Sequence, residues 1–220
     1  MKRYLFLLLF IFSSNTYSFN IDTNELIYVI NYYIQSGDKA VSDFYDDYYK
    51  AAELSRELIK LNPESDIGYA YLAYSLGNIL RELPFYKKIS ASKEIYSSAV
   101  KALQLNKNNH LALYTIGIVY REAVGLDGFE RAVVSGYFKE LLSEASLEKA
   151  IYYLEKACEL QQDDLQYKYE LAKTYSIFDK DKSINIYKQI LEKKAVSEKD
   201  KLFQKKAISK LKKLNNMAIK

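Results

Sequence analysis

The sequence predicts an all-α fold: a solenoid of antiparallel helix pairs with an inserted helix and a C-terminal capping helix. Three observations predict it. Only 7 Gly and 2 Pro are spread over 220 residues, too few for an all-β chain, which needs a turn signal roughly every 8–12 residues. Long segments rich in Leu, Lys, Glu, Ile and Ala carry apolar residues at three- and four-residue spacing, the period of an amphipathic helix. A large–small–aromatic alternation also recurs, in Leu113, Ile116, Gly117 and Tyr120, then Ala150, Leu154 and Ala157, then Leu171, Ala172 and Tyr175. Small residues at helical spacing let two helices approach closely, and repetition of the pattern makes pairs stack.

The chain begins with Lys2 and Arg3, an unbroken apolar run from Tyr4 to Phe12, and small polar residues. These are the three parts of a secretory signal, with Thr16 and Ser18 at −3 and −1 of a cut before Phe19. The run is far shorter than the roughly 20 residues that span a bilayer, and no Cys stands near the cut to carry a lipid. Residues 1–18 are therefore expected to be a signal peptide. The mature protein is expected to be exported, to the periplasm or cell envelope of a bacterium. An uncleaved leader that anchors the chain is the alternative.

Residues 19–64 read as a divergent N-terminal helical pair. Leu26, Ile27, Val29, Ile30, Tyr33 and Ile34 recur at helical spacing, and Ser36-Gly37-Asp38 reads as the stop. A second helix runs from about Lys39 to Leu61, where Asn62-Pro63 closes it. Residues 65–194 read as the repeats. Tyr69, Leu72, Ala73 and Leu76 mark a first repeat helix, Pro84 to Lys88 a linker, and Ile95, Ala99 and Ala102 its partner from Ser90 to Leu105. Lys107-Asn108-Asn109 forms the turn before the His110 helix. Residues 125–146 are an insertion where a repeat of this kind has a short turn, and Phe129, Val133, Val134, Tyr137, Phe138, Leu141 and Leu142 predict an extra helix there. Ser146 reads as an N-cap. Residues 195–220 are a basic capping helix with Leu202, Phe203, Ala207, Ile208, Leu211 and Leu214 on its apolar face, because a solenoid must cover its last hydrophobic surface.

Charge is divided unevenly. Residues 193–220 hold ten Lys against Glu198 and Asp200, a balance of +8, and Lys2 and Arg3 add +2. The overall +4 therefore leaves −6 on residues 19–192. An acidic body with a basic tail suits a solvated terminal helix or a peripheral membrane contact through the Lys-rich C terminus.

The repeat motifs are those of a tetratricopeptide protein. The run Gly117-x2-Tyr120-x2-Ala123-x-Gly125-Leu126-x2-Phe129-Glu130-Arg131, followed by Ser146-Leu147-Glu148-Lys149-Ala150 and Ala157, resembles more specifically the regulators of microtubule dynamics and their bacterial relatives. The resemblance covers residues 65 to 178. It departs from the family in having Tyr120 where a Trp is common. It implies an all-α scaffold without catalytic activity, and a structural use of Glu130 and Arg131 at helix ends. It does not bring the microtubule role with it, since the leader points out of the cytoplasm.

Chemistry is sparse. His110 is the only His and stands at a helix start without a nearby Cys, so it reads as solvent-facing rather than as a metal ligand or base. Cys158, the only Cys, sits beside Ala157 as a small packed side chain. Nucleophile elbows, phosphate loops and dinucleotide fingerprints are all missing from the sequence. The expected protein is not an enzyme and takes no cofactor, metal or nucleic acid. The 22 Tyr are the unusual feature. In tetratricopeptide arrays the first helix of each pair lines the concave groove, which places Tyr74, Asn78, Tyr114, Arg121, Glu122, Tyr169 and Lys173 there. Tyr joins a large contact area to a hydrogen-bonding tip. The function expected is thus an exported adaptor that binds a protein or peptide partner in a Tyr-lined groove. A membrane-associated envelope organiser, held by an uncleaved leader or the basic tail, is the alternative.

Overall fold

Residues 22–39 and 44–217 are described by the computed structural model, and they form eleven α-helices without a strand. The expected leader lies outside the described residues. In chain order the helices are α1 (Thr23–Lys39), α2 (Phe44–Leu61), α3 (Asp66–Ile79), α4 (Phe85–Leu105), α5 (His110–Val124), α6 (Gly128–Ser135), α7 (Lys139–Glu144), α8 (Leu147–Leu160), α9 (Leu165–Tyr175), α10 (Lys180–Glu192) and α11 (Glu198–Met217).

Apolar stripes explain the pairing. In α1, Leu26, Val29, Ile30 and Ile34 turn inward while Tyr28 and Tyr32 face out. They meet Ala51, Leu54 and Leu58 of α2 in the largest core cluster. Two glycine positions mark close approaches. Gly37 does not end α1, as its residue type suggests; the helix continues past it to Lys39, and a Cβ at 37 would lie 2.9 Å from the Tyr48 ring. Gly117 brings α5 against α8, where a Cβ would lie 2.6 Å from Leu154 Cγ and 3.0 Å from the Ala150 carbonyl. Each pair is thus set by side chains that one helix must leave out.

Helix α3 is apolar almost all round because α2, α4 and α5 surround it. Pro84 does not open a linker. It is the N-cap of α4, whose first turn begins at Phe85, and the Pro84 carbonyl accepts from the Lys87 amide at 2.8 Å. Proline is well suited there, since an N–H at a helix start would have no intrahelical partner. Asn109 caps α5 by accepting from the Ala112 amide at 3.0 Å.

The insertion contains two short helices in place of one. Asp127 and Glu130 form a capping box on α6, with the Asp127 side chain accepting from the Glu130 amide at 2.8 Å and Glu130 Oε2 from the Asp127 amide at 3.0 Å. Arg131 donates to the Ala123 carbonyl at 3.2 Å, tying the insertion to the end of α5. Gly136 and Tyr137 separate α6 from α7. Phe138 and Leu141 are buried against Ile116, Tyr120 and Ala123 of α5.

The layers stack as α1/α2, α3/α4, α5/α8 and α9/α10, with α11 closing the far end through Phe203, Ala207 and Leu214 against Tyr169, Tyr187 and Ile190. Arg56 of α2 makes a two-pronged pair with Glu94 of α4, both bonds 2.8 Å. That pair is half exposed and contributes about 0.2–1 kcal/mol. Each fully buried Leu or Ile contributes about 1.5–3 kcal/mol. Apolar packing therefore decides the stack.

Candidate functional site

Helices α2, α3, α5 and α9 bring a ladder of aromatic rings together. Tyr48 meets Tyr74 at 6.0 Å between centroids, Tyr74 meets Tyr114 at 6.0 Å, and Tyr114 stacks on Tyr167 at 4.4 Å. Their hydroxyls are shared within the chain. Asp38, near the end of α1, accepts from Tyr48 and, at 2.9 Å, from Tyr74, which also lies 3.2 Å from Gln166 Oε1. Gln166 Nε2 donates to the Tyr114 hydroxyl at 2.7 Å, and the Tyr167 hydroxyl shares a 2.8 Å hydrogen bond with His110 Nδ1. Burial is the main cause that raises the pKa of all four hydroxyls, so they stay neutral. Lys199 of α11 reaches this network, 3.0 Å from Asp38 and 3.6 Å from Asp164. The first and last helices thus meet at one carboxylate.

Asp38→Ala should accordingly cost about 1.5–3 kcal/mol, the range for hydrogen bonds to a charged group, because Tyr48 loses its acceptor and Lys199 keeps only Asp164. Urea titration of the variant checks this, and a loss under about 0.5 kcal/mol would mean that the carboxylate does not join the two ends.

His110 is not solvent-facing. Its ring lies against Tyr167, 5.9 Å between centroids, because α9 packs alongside α5. Burial holds its pKa below the ordinary value, with Asp164 opposing. The unfolded chain therefore takes up this proton more readily than the folded one, and the contribution of His110 is lost as pH falls below about 6.5. Cys158 is half buried against the largest core cluster, and burial pushes its thiol up to about 12. It is an inert packing group.

Beside the ladder lies a charge quartet. Arg121, 5% exposed, places Nη1 2.7 Å from Glu170 Oε2 and Nη2 2.8 Å from Glu122 Oε1. Nη1 also donates to the Glu170 carbonyl and to Thr174 Oγ1, each at 3.3 Å. Lys173 lies 3.6 Å from Glu122 and 3.8 Å from Glu170. Burial alone would raise the Glu122 carboxyl, but the Arg121 hydrogen bond and charge, with Lys173, hold it below its usual range.

Next to the quartet is an apolar cavity of about 280 Å³. Its walls include Ile95 of α4, Ile118 and Val119 of α5, and Val134, Phe138 and Leu142 of the insertion. Asn78, Tyr74, Ser92, Tyr114, Thr115 and Glu122 supply its polar positions. Such an arrangement, mostly apolar with few polar groups at defined places, is the usual make-up of a binding pocket.

Of the residues placed in the groove by repeat register, Tyr74, Asn78, Tyr114 and Glu122 line this cavity. Tyr74 and Tyr114 are 3% and 5% exposed, with their hydroxyls bonded inside the protein. Arg121 and Lys173 belong to the quartet. Tyr169 is 8% exposed in the α9–α11 core, where its ring meets Tyr187 and Phe203, because the capping helix covers that face. Sequence reading misses Asp38, Tyr48, Gln166 and Tyr167, which complete the ladder, and the insertion residues that wall the cavity. The amphipathic pattern of residues 129–142 signals the latter, but only as a face that must pack somewhere. No pattern joins Asp38 to Lys199, 161 positions apart.

Among the described residues no helix is long and apolar enough to cross a membrane, and no cluster of three or more His, Cys, Asp or Glu could hold a metal ion. No curated protein matches the chain. A crystal structure of a thermophilic TPR protein of Thermus thermophilus is similar at 18% identity and a TM-score of 0.56, covering 85% of this chain and 81% of that one. That likeness gives the fold, a tetratricopeptide-type helical scaffold. The family model described as Regulator of microtubule dynamics protein 1-3 matches residues 29–215. It runs from within α1 to the last turn of the capping helix, and the chain belongs to that family.

Proposed function

We propose that this chain is an exported, non-catalytic scaffold that binds a protein or peptide partner through an apolar anchor seated in the cavity between α3, α4, α5 and the insertion. The observation that carries this reading is the cavity itself. Its wall is almost wholly apolar, while Asn78 and Glu122 stand at positions that can fix a peptide's orientation. The tyrosine ladder supports the cavity as a rigid back wall, because its hydroxyls are already satisfied within the chain. Apolar anchors in such pockets dominate the energy of protein interfaces.

Leu142 is only partly buried, so Leu142→Arg fills the cavity with charge while leaving the core in place. A crosslinking pull-down from envelope fractions with wild type and Leu142→Arg should show one partner lost specifically with the variant. The affinity of that partner should fall by at least about tenfold, or about 1.4 kcal/mol. Equal recovery with both proteins would move the interface off the cavity. The basic tail supports a second reading, an envelope organiser that lies on anionic membrane: Lys201, Lys205, Lys212 and Lys213 all face solvent on α11. Membrane retention that high salt reverses, unaffected by Leu142→Arg, would favour it.

A further inference from the structure

We propose that the rim of the cavity at Gly77, Asn78 and Glu122 is a cation seat, and that it selects, within the peptide-binding reading above, a partner segment with Lys or Arg beside its apolar anchor. Glu122 is the one charged residue in the cavity wall. Its carboxylate accepts from Arg121 Nη2 at 2.8 Å and from Nε at 3.1 Å, both on Oε1, while its side chain stays 58% exposed. Lys173 approaches the same Oε1, at 3.6 Å. Both cations that balance Glu122 thus lie at one of its oxygens, and Oε2 is left to take a donor from outside. Asn78 is set in the same sense. Its Nδ2 donates to the Tyr74 carbonyl at 2.9 Å, so Oδ1 remains as an acceptor in the wall.

Two helix ends add to this polarity. Gly77, Asn78 and Leu80 belong to the last turn of α3 and its cap, and Glu122 and Ala123 to the last turn of α5; all five line the cavity. The C-terminal end of a helix carries roughly half a negative charge, so two such ends favour a cation at the same rim. Residues 19–192 carry −6 overall, and that field draws a basic segment toward the body. Gly77 is an independent mark. Glycine inside a helix is less stable than alanine, so it needs a reason. At Gly37, Gly68 and Gly117 a Cβ would lie 2.6–3.0 Å from a neighbouring side chain, and close packing is the reason. A Cβ at Gly77 would meet nothing within 4 Å. Packing within the chain therefore does not account for this glycine, whereas a ligand lying against the bare backbone of α3 does.

The test is a displayed library of random twelve-residue peptides selected on the full chain, followed by anisotropy titration of the best peptide and of the same peptide with Gln in place of its basic residue. Enriched peptides should carry Lys or Arg at a fixed spacing from a large apolar residue. The basic form should bind about three- to fivefold more tightly than the neutral one at low salt, as a partly exposed ion pair allows, with the difference shrinking as the Debye length shortens. Glu122→Gln should bring the ratio of the two affinities close to one. Gly77→Leu should abolish binding of both peptides while the melting temperature holds or rises, because the new side chain fills open space and leucine suits a helix better than glycine. Enrichment without basic bias, or a preference that survives Glu122→Gln, overturns the cation seat while keeping the cavity reading. Full binding by Gly77→Leu also overturns it, and overturns the cavity reading too if Leu142→Arg binds fully. No enrichment of any peptide overturns both.

Discussion

Arg121→Met is expected to destabilise the protein by about 3–5 kcal/mol, the range for breaking a buried ion pair by removing one partner. The guanidinium is almost fully enclosed, and the Glu170 side chain is only 15% exposed. Burial by itself disfavours the charged Arg121, but Glu170 and Glu122 outweigh it. Removing the cation leaves Glu170 with Lys173 at 3.8 Å as its remaining counter-charge. Thr174 Oγ1 and the Glu170 carbonyl lose a donor in the same step, and with them a polar tie between α5 and α9. The double variant Arg121→Met/Glu170→Met should recover most of the loss, because apolar replacements of similar volume remove both desolvation costs.

The pH dependence has a definite sign. The Glu122 carboxyl is held below its ordinary value in the folded state, so its contribution is present above that ordinary value and lost as pH falls through the lowered one. In Arg121→Met the main cause that lowers this carboxyl is gone and only Lys173 still opposes burial, so stability on the acid side should depend less on this group. Urea unfolding at neutral and acid pH measures both effects. A loss below about 1 kcal/mol for the single variant would show that packing, not the ion pair, joins α5 to α9.

Gly117→Ala is expected to cost about 1–3 kcal/mol, as overpacking of a tight core does. Mid-helix Gly→Ala ordinarily gains about 1 kcal/mol from propensity, so a measured loss of this sign identifies a clash. The new methyl would sit 2.6 Å from Leu154 Cγ and 3.0 Å from the Ala150 carbonyl. Leu154 can change rotamer only within a filled cluster, and the carbonyl belongs to the α8 backbone. Leu154→Ala alone should cost about 2–5 kcal/mol. In the double variant the methyl enters the space left by Leu154, so the combined loss should fall short of the sum by about 0.5–3 kcal/mol. Strict additivity in denaturant unfolding would mean that α5 and α8 separate to accept the methyl. The insertion would then shift with them, since α7 packs on α5.

The helices are legible in the sequence because their period is local. The pattern Leu113, Ile116, Gly117 and Tyr120 marks one packed face, and α5 buries it. Helix ends are less legible. Gly37 reads as a stop because glycine commonly ends helices, yet its missing side chain serves Tyr48, a residue of the next helix. Pro84 reads as a break and is a cap. Both errors have one cause: a residue type offers several uses, and the neighbour that decides between them comes from another element. The groove residues show the same limit. Register within a repeat brings Tyr74, Asn78, Tyr114 and Glu122 to one face, because helical periodicity fixes which positions share a face. It cannot tell that Tyr169 is covered by α11, since that depends on where the capping helix lies.

The sequence alone determined the all-α class, the pairing of small with large apolar positions and the family. These rest on spacing and residue size within a few turns of helix. Tertiary structure alone decided that Asp38 and Lys199 meet, that the inner tyrosines satisfy one another, and that the insertion walls a cavity instead of merely extending a turn. The physical reason is that helical periodicity tells which side of a helix must be covered, whereas the covering partner is fixed by how successive pairs turn about the solenoid axis. That rotation is set by packing summed over the whole stack.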